Sequence, residues 1–169
     1  MAKIATIMTN YFEDSEFLDP LEAFEHENHD VKIIEFEADR SITGKNGAKV
    51  TSDEGIDDVS PDDFDALFIP GGFSPDLLRA DERFVEFAKA FMNEKKPVFA
   101  ICHGPQVLIT AETLDGRDVT GYKSIKVDLK NAGANYLDQK VVVCQKQLVS
   151  SRTPDDLPAF IDSSLELIK

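Results

Sequence analysis

Two stretches of this chain, Ala66-Leu67-Phe68-Ile69 and Val98-Phe99-Ala100-Ile101, carry no polar side chain. A strand with one wet face alternates apolar and polar residues. A run that is apolar at every position needs cover on both faces, as strands have inside a parallel sheet. Chain-reversing residues follow each run: Pro70-Gly71-Gly72 after the first, Cys102-His103-Gly104-Pro105 after the second. Between them, Asp81 can cap a helix that sets Phe84, Phe87, Ala88 and Phe91 at helical spacing. The same alternation runs elsewhere. Residues 3–8 and 31–36 read as strands around a helix that Asp14 and Ser15 can cap. That helix has Pro20 in its early turns and Phe17, Leu21 and Phe24 on one face. Residues 42–47 and 48–50 read as a short hairpin turning at Lys45-Asn46-Gly47. Residues 105–112 and the stretch around 125–131 read as helices, and 141–144 and 147–150 as a strand pair. A last helix is expected to start at Thr153-Pro154-Asp155-Asp156, with a cap, Pro at its first position and acids in its first turn. The pattern predicts an α/β fold: a three-layer sandwich with a mostly parallel central sheet and helices on both faces, in one domain over residues 1–169.

Charge removes several classes of partner. Thirty-two acidic residues face 18 basic ones, a formal net charge of −14. Nucleic-acid phosphates and anionic membrane surfaces both call for clustered Lys and Arg, so neither is an expected partner. No window approaches the roughly 18 apolar residues of a membrane span, and the apolar start at residues 1–8 is too short for a secretion signal. Two cysteines make no disulfide framework. A reducing, cytoplasmic setting is the expectation.

Ligands of parallel sheets bind beyond the carboxyl ends of the strands. Three segments fall there: residues 10–16, Gly71-Gly72 and Cys102-His103. Cysteine is often mere core. A thiol at a strand–turn–helix elbow, followed by His, Gly and Pro, reads instead as a nucleophile. The helix starting near Pro105 would aim N–H groups at the sulfur and favour thiolate, and His103 could carry the proton. The N–H groups of Gly71, Gly72 and His103 are candidate oxyanion donors; a Gly pair after a strand also serves as a plain tight turn. Glu16 either donates from a protonated, desolvated carboxyl to the sulfur or complements the helix dipole from the first turn. On the residues alone the dipole role is favoured, and Glu13 and Asp14 compete with it. Asp76, after Pro75, could orient His103 or stand as a surface Asp at a helix start. Cys144 reads as core. His26 and His29 lie three apart with no third ligand cluster, so no metal is expected. No cofactor motif is present, and none is expected.

The chain resembles the PfpI family of intracellular cysteine peptidase-like proteins, within the class I glutamine-amidotransferase-like superfamily that also holds the human parkinsonism-associated deglycase. Among bacterial members it is similar to general stress proteins of Gram-positive organisms. The likeness runs end to end. It rests above all on Ala100-Ile101-Cys102-His103-Gly104-Pro105-Gln106 after Pro70-Gly71-Gly72. Supporting it are Phe12-Glu13-Asp14-Ser15-Glu16, Thr43-Gly44-Lys45-Asn46-Gly47, Asn131-Ala132-Gly133-Ala134 and Ser150-Ser151-Arg152-Thr153-Pro154. The resemblance implies a flavodoxin-like sandwich that assembles at least as a homodimer. It implies Cys102 as nucleophile, His103 as its histidine, Tyr122 as a site-lining aromatic, and Glu16 as the carboxyl that contacts the sulfur, which reverses the preference stated above. Asp76 falls where peptidase-like members place a glutamate that reaches across from a neighbouring subunit. An Asp there is one methylene shorter. The human protein's subfamily uses a different histidine near the position of Tyr122. Three activities are implied. They are conversion of reactive carbonyls or glycated adducts, peptide hydrolysis, and redox sensing or chaperoning without turnover, in that order of expectation.

Overall fold

Parallel pairing of the two apolar runs sets the middle of the molecule. The computed structural model describes residues 1–169. In chain order the elements are β1 (Lys3–Ile7), α1 (Asp14–His26), β2 (Asp30–Glu35), β3 (Ser41–Thr43), β4 (Lys49–Thr51), β5 (Glu54–Gly55) and β6 (Ala66–Ile69). There follow α2 (Ser74–Arg79), α3 (Glu82–Asn93), β7 (Val98–Ile101), α4 (Pro105–Thr110), β8 (Asp118–Val119) and α5 (Lys126–Asn131). The chain closes with β9 (Asn135–Tyr136), β10 (Val142–Cys144), β11 (Leu148–Ser151) and α6 (Leu157–Leu167). Seven strands form one sheet in the order β10-β11-β7-β6-β1-β2-β5. Only the β10–β11 pair is antiparallel. β3 and β4 make the expected hairpin apart from the sheet, and β8 and β9 a small parallel pair.

Register explains why β6 and β7 contain no polar residue. Phe68 sits opposite Phe99 and Ile69 opposite Ala100. Along β6, Leu67 and Ile69 enter a core with Phe84, Phe87 and Phe91 of α3. Ala66 and Phe68 enter a second core with Phe17 and Phe24 of α1 and Phe160 of α6. Successive side chains of a strand point to opposite faces, so a strand between two cores is apolar throughout. Helices α1 and α6 cover one face and α2 to α5 the other. This is the expected mostly parallel sandwich.

The chain moves from β1 outward to β2, then returns to the other side of β1 at β6. At such a reversal the connections leave in opposite directions and open a crevice beyond the strand ends. The segments after β1, β6 and β7 meet there.

Some boundaries differ from expectation. The first helix has Glu13 at its cap with no side-chain cap bond; the Asp14 carboxylate instead accepts N–H bonds from Asn46 (3.0 Å) and Ala48 (2.8 Å) of the hairpin turn. A distinct short helix, α2, precedes the Asp81 cap. The final helix begins at Leu157, behind a 3-10 turn over Pro154–Asp156, and Thr153 makes no cap bond. Asp156 turns back to Arg152 (2.9 Å). No helix is long and apolar enough to cross a membrane.

Phe68 joins the two covering helices through its contacts with Phe17, Phe24 and Phe160, at ring centroid separations of 6.4, 5.8 and 6.1 Å. Phe68→Ala is expected to lower unfolding free energy by about 3–5 kcal/mol in urea titrations, the range for emptying a buried aromatic site.

Candidate active site

Cys102 follows directly on β7 with a left-handed backbone, φ 62°. That region is disfavoured for a residue with a Cβ, and it persists only where neighbours dictate it. Here the Cys102 N–H donates to the Ser151 carbonyl (3.0 Å), and its own carbonyl accepts the Tyr122 N–H (2.8 Å). The Gly104 N–H closes the turn onto Ile101 (2.8 Å). A Cβ at Gly104 would run into the Ile69 carbonyl, so glycine is required. The elbow predicted from the sequence is therefore present and held from three sides.

Glu16 comes to the sulfur from the first turn of α1. It is fully buried. Its Oε1 accepts the Gly71 N–H at 3.0 Å. Its Oε2 is buried with no hydrogen-bond partner, and the carboxyl neighbours Cys102. Burial, followed by the nearby Glu13 carboxylate, pushes the Glu16 carboxyl up to about 8. At neutral pH it keeps its proton and can offer an O–H to the sulfur. Geometry separates the three competing carboxylates: Glu13 pairs with Lys45, Asp14 holds the hairpin turn, and Glu16 alone meets the thiol.

Two expectations need correcting. The Gly71 N–H is engaged by Glu16 and is not free for a substrate oxygen, which leaves the His103 and Gly72 N–H groups, near the sulfur, as the remaining candidate donors. The sulfur is also not displayed at an open rim as a ready thiolate. Cys102 is 8% exposed. Burial, then the Glu16 carboxyl, pushes its thiol up, against the two N–H donors. A helix start is a weak counterweight to desolvation of this depth.

His103 brings an imidazole beside the sulfur. Its Nδ1 lies 3.3 Å from Cys102 Sγ and its Nε2 3.1 Å from the Ser124 hydroxyl. Hydrogen on Nε2 satisfies both partners and leaves the Nδ1 lone pair facing the thiol. Burial, then the Lys45 charge, holds the imidazole below its usual pKa, so it is neutral at pH 7. Tyr122 lies against the ring, 5.1 Å between centroids. Asp76 does not orient His103 within this chain: the Nε2 partner is Ser124, and Asp76 makes no side-chain hydrogen bond or ion pair.

Cys102, His103, Glu16, Gly72, Asp76 and Tyr122 all line one cavity of about 750 Å³. Lys45, Gln106, Tyr11 and Phe73 also line it, and Ser124 stands behind His103, none of them assigned to the site from the sequence. Lys45 was visible there only as part of a turn. The other singled-out residues lie elsewhere. Cys144 is buried and accepts N–H bonds from Arg117 (3.3 Å) and Asp118 (3.4 Å). His29 accepts the Ala2 N–H (2.9 Å), and His26 pairs with Glu27.

Residues 2–167 match the sequence model of the DJ-1/PfpI family. The chain belongs to that family. It is 62% identical to "General stress protein 18" of Bacillus subtilis over 99% of this chain and 98% of that one. It is 55% identical to "Protein/nucleic acid deglycase 2" of Escherichia coli, over 98% and 97% of the two chains. Among solved structures, a two-domain protein of Anabaena variabilis with dj-1/thij/pfpi-like and ferritin-like domains superposes with a TM-score of 0.96. The two are 35% identical, and the match covers 99% of this chain and 48% of that one. In this DJ-1/PfpI chain the Cys, His and Glu of the sequence reading converge at the crevice where the sheet reverses direction.

The buried Glu16 makes stability depend on pH. Folded, it holds its proton up to about pH 8; unfolded, it loses it above about 4.5. The folded state thus binds the extra proton across that window, so Glu16's stabilising contribution is full below about 4.5 and is lost as pH rises to about 8, by on the order of 5 kcal/mol. Glu16→Gln should flatten this part of the profile in denaturant titrations at stepped pH.

Proposed function

We propose that this protein is a cysteine-nucleophile enzyme acting on reactive carbonyls, converting 2-oxoaldehydes such as methylglyoxal to hydroxy acids. One observation carries the reading. The Cys102 thiol lies between a neutral imidazole at 3.3 Å and a buried, protonated carboxyl, at the wall of a cavity with room for a small substrate. That is an acid and a base whose surroundings push their proton affinities apart, flanking one nucleophile. The names of two relatives, a deglycase and a general stress protein, support chemistry of this class.

The steps follow from the groups present. Cys102 sulfur adds to the aldehyde carbon as its proton passes to His103 Nδ1, and the former carbonyl oxygen takes that proton from His103, giving a hemithioacetal and restoring the neutral imidazole. The N–H groups of His103 and Gly72 lie at the sulfur, within reach of negative charge on the adjoining oxygen. His103 then removes the hydrogen of the sulfur-bearing carbon and returns it at the neighbouring carbon, while the hemithioacetal hydroxyl proton moves to the neighbouring oxygen, leaving a thioester of the hydroxy acid. Water hydrolyses the thioester, releasing the acid and restoring the thiol. The sum is substrate plus water to product, with no net oxidation.

The peptidase reading has less support, because its histidine needs an orienting carboxylate and Ser124 holds that position here. Incubation with methylglyoxal should yield lactate. Turnover should vanish in Cys102→Ala and fall by roughly 10²–10⁴ in His103→Ala, the usual worth of a positioned proton carrier. Unchanged turnover in Cys102→Ala would overturn the reading.

A further inference from the structure

Three of the side chains lining the cavity end in carboxyl groups, from Glu13, Glu16 and Asp76, while Lys45 is its one Lys or Arg. Lys45 is presented with some care. It sits in the turn between β3 and β4, and its own N–H donates to the Phe12 carbonyl (3.0 Å). The Asp14 carboxylate grips the same turn from α1 through Asn46 and Ala48. A Cβ at Gly44 would collide with that carboxylate, so the turn is fitted to Asp14. The ammonium pairs with Glu13. The pair is lopsided: the Lys45 side chain is 51% exposed and that of Glu13 only 12%. Glu13 is further occupied by the Asn46 side-chain amide (3.2 Å). Of the two charges at the cavity wall, the cation is therefore the one chiefly open to solvent. An ammonium has three N–H donors, and one carboxylate oxygen does not consume them. Asp76 stands exposed on α2, where solvent screens it more fully.

We propose that Lys45 is the specificity-determining cation of this site, selecting carbonyl compounds whose chain carries a carboxylate or phosphate, and that Asp14 is the positioning residue that holds it over the cavity. The proposal rests on Cys102 being the nucleophile and on no particular turnover. A negative group on the substrate seats against the ammonium while the carbonyl carbon meets the sulfur. Neutral 2-oxoaldehydes lack this anchor.

The sulfur itself can report the field around it. Iodoacetate and iodoacetamide alkylate a thiol by the same displacement and differ mainly in charge. The ratio of their rates at Cys102, followed by mass spectrometry at low ionic strength, measures how strongly the cavity favours an anion. Lys45→Gln should lower that ratio on the order of tenfold, with Lys45→Arg keeping most of it and added salt shrinking the difference. Asp14→Asn gives opposite signs for the two explanations. If only net charge matters, removing an acid raises the ratio; if Asp14 positions Lys45, the ratio falls. Gly44→Ala disrupts the same clamp with no change of charge, and it should also lower the ratio. That arm stands should Asp14→Asn fail to fold. A ratio unmoved by Lys45→Gln, or raised by Asp14→Asn, would overturn the proposal while leaving the nucleophile intact. A wild-type sulfur that neither reagent reaches would instead remove the nucleophile, and this proposal with it.

Discussion

A single buried proton organises the site. Glu16 has no exposed surface, and one backbone N–H, from Gly71, is the only donor its carboxyl receives from the main chain. An ionised carboxylate there would face desolvation and would lie beside the Cys102 sulfur, whose own ionisation it opposes. Both anions in one apolar recess would be prohibitive. Keeping the proton on Glu16 relieves this and supplies a donor to the sulfur. Gly71 is what allows the carboxyl to come so near: a Cβ there would crowd Glu16 itself and stand 2.8 Å from the Cys102 Cβ. The Gly-Gly pair thus divides its labour, one residue seating the acid and the other, at φ 80°, turning the chain beside the thiol.

The fold turns that local requirement into a place. Glu16, Gly71 and Cys102 are far apart in sequence, but each follows a strand, and those strands, β1, β6 and β7, are neighbours in the sheet. Parallel strands deliver their carboxyl ends to the same edge, so three connections converge without any long loop. The two phenylalanine-rich cores behind the edge make the floor stiff, and a stiff floor is what holds a residue in left-handed conformation against its preference.

Much of this was legible beforehand, and the reasons are specific. Apolar runs without alternation announced buried strands, and Phe84, Phe87 and Phe91 announced the face of a helix, because burial repeats with the period of the element. Cys102 was legible because strand, thiol, His, Gly and Pro in succession have few other uses. What escaped notice had no period or no local signature. The two-residue strands β8 and β9 are too short to show alternation. Helix α2 hides between a turn and a stronger cap signal. Thr153-Pro154-Asp155-Asp156 carries every mark of a helix start, yet Asp156 is drawn back by Arg152 and the helix waits until Leu157. Lys45 and Ser124 belong to the site only through tertiary placement, one by a hairpin clamped to a helix, the other by a 3-10 turn facing His103. The engagement of the Gly71 N–H and the depth of the sulfur are likewise matters of packing, which residue types alone do not reveal.

The depth of the cavity floor has one more consequence. An occupant that expels water from the crevice lowers the polarity around the buried Glu16 carboxyl and favours its protonated form. Thermodynamic reciprocity then requires that acidity strengthen the hold on the occupant by the same factor. Filling the crevice and holding the hydrogen ion on Glu16 are then two faces of one equilibrium.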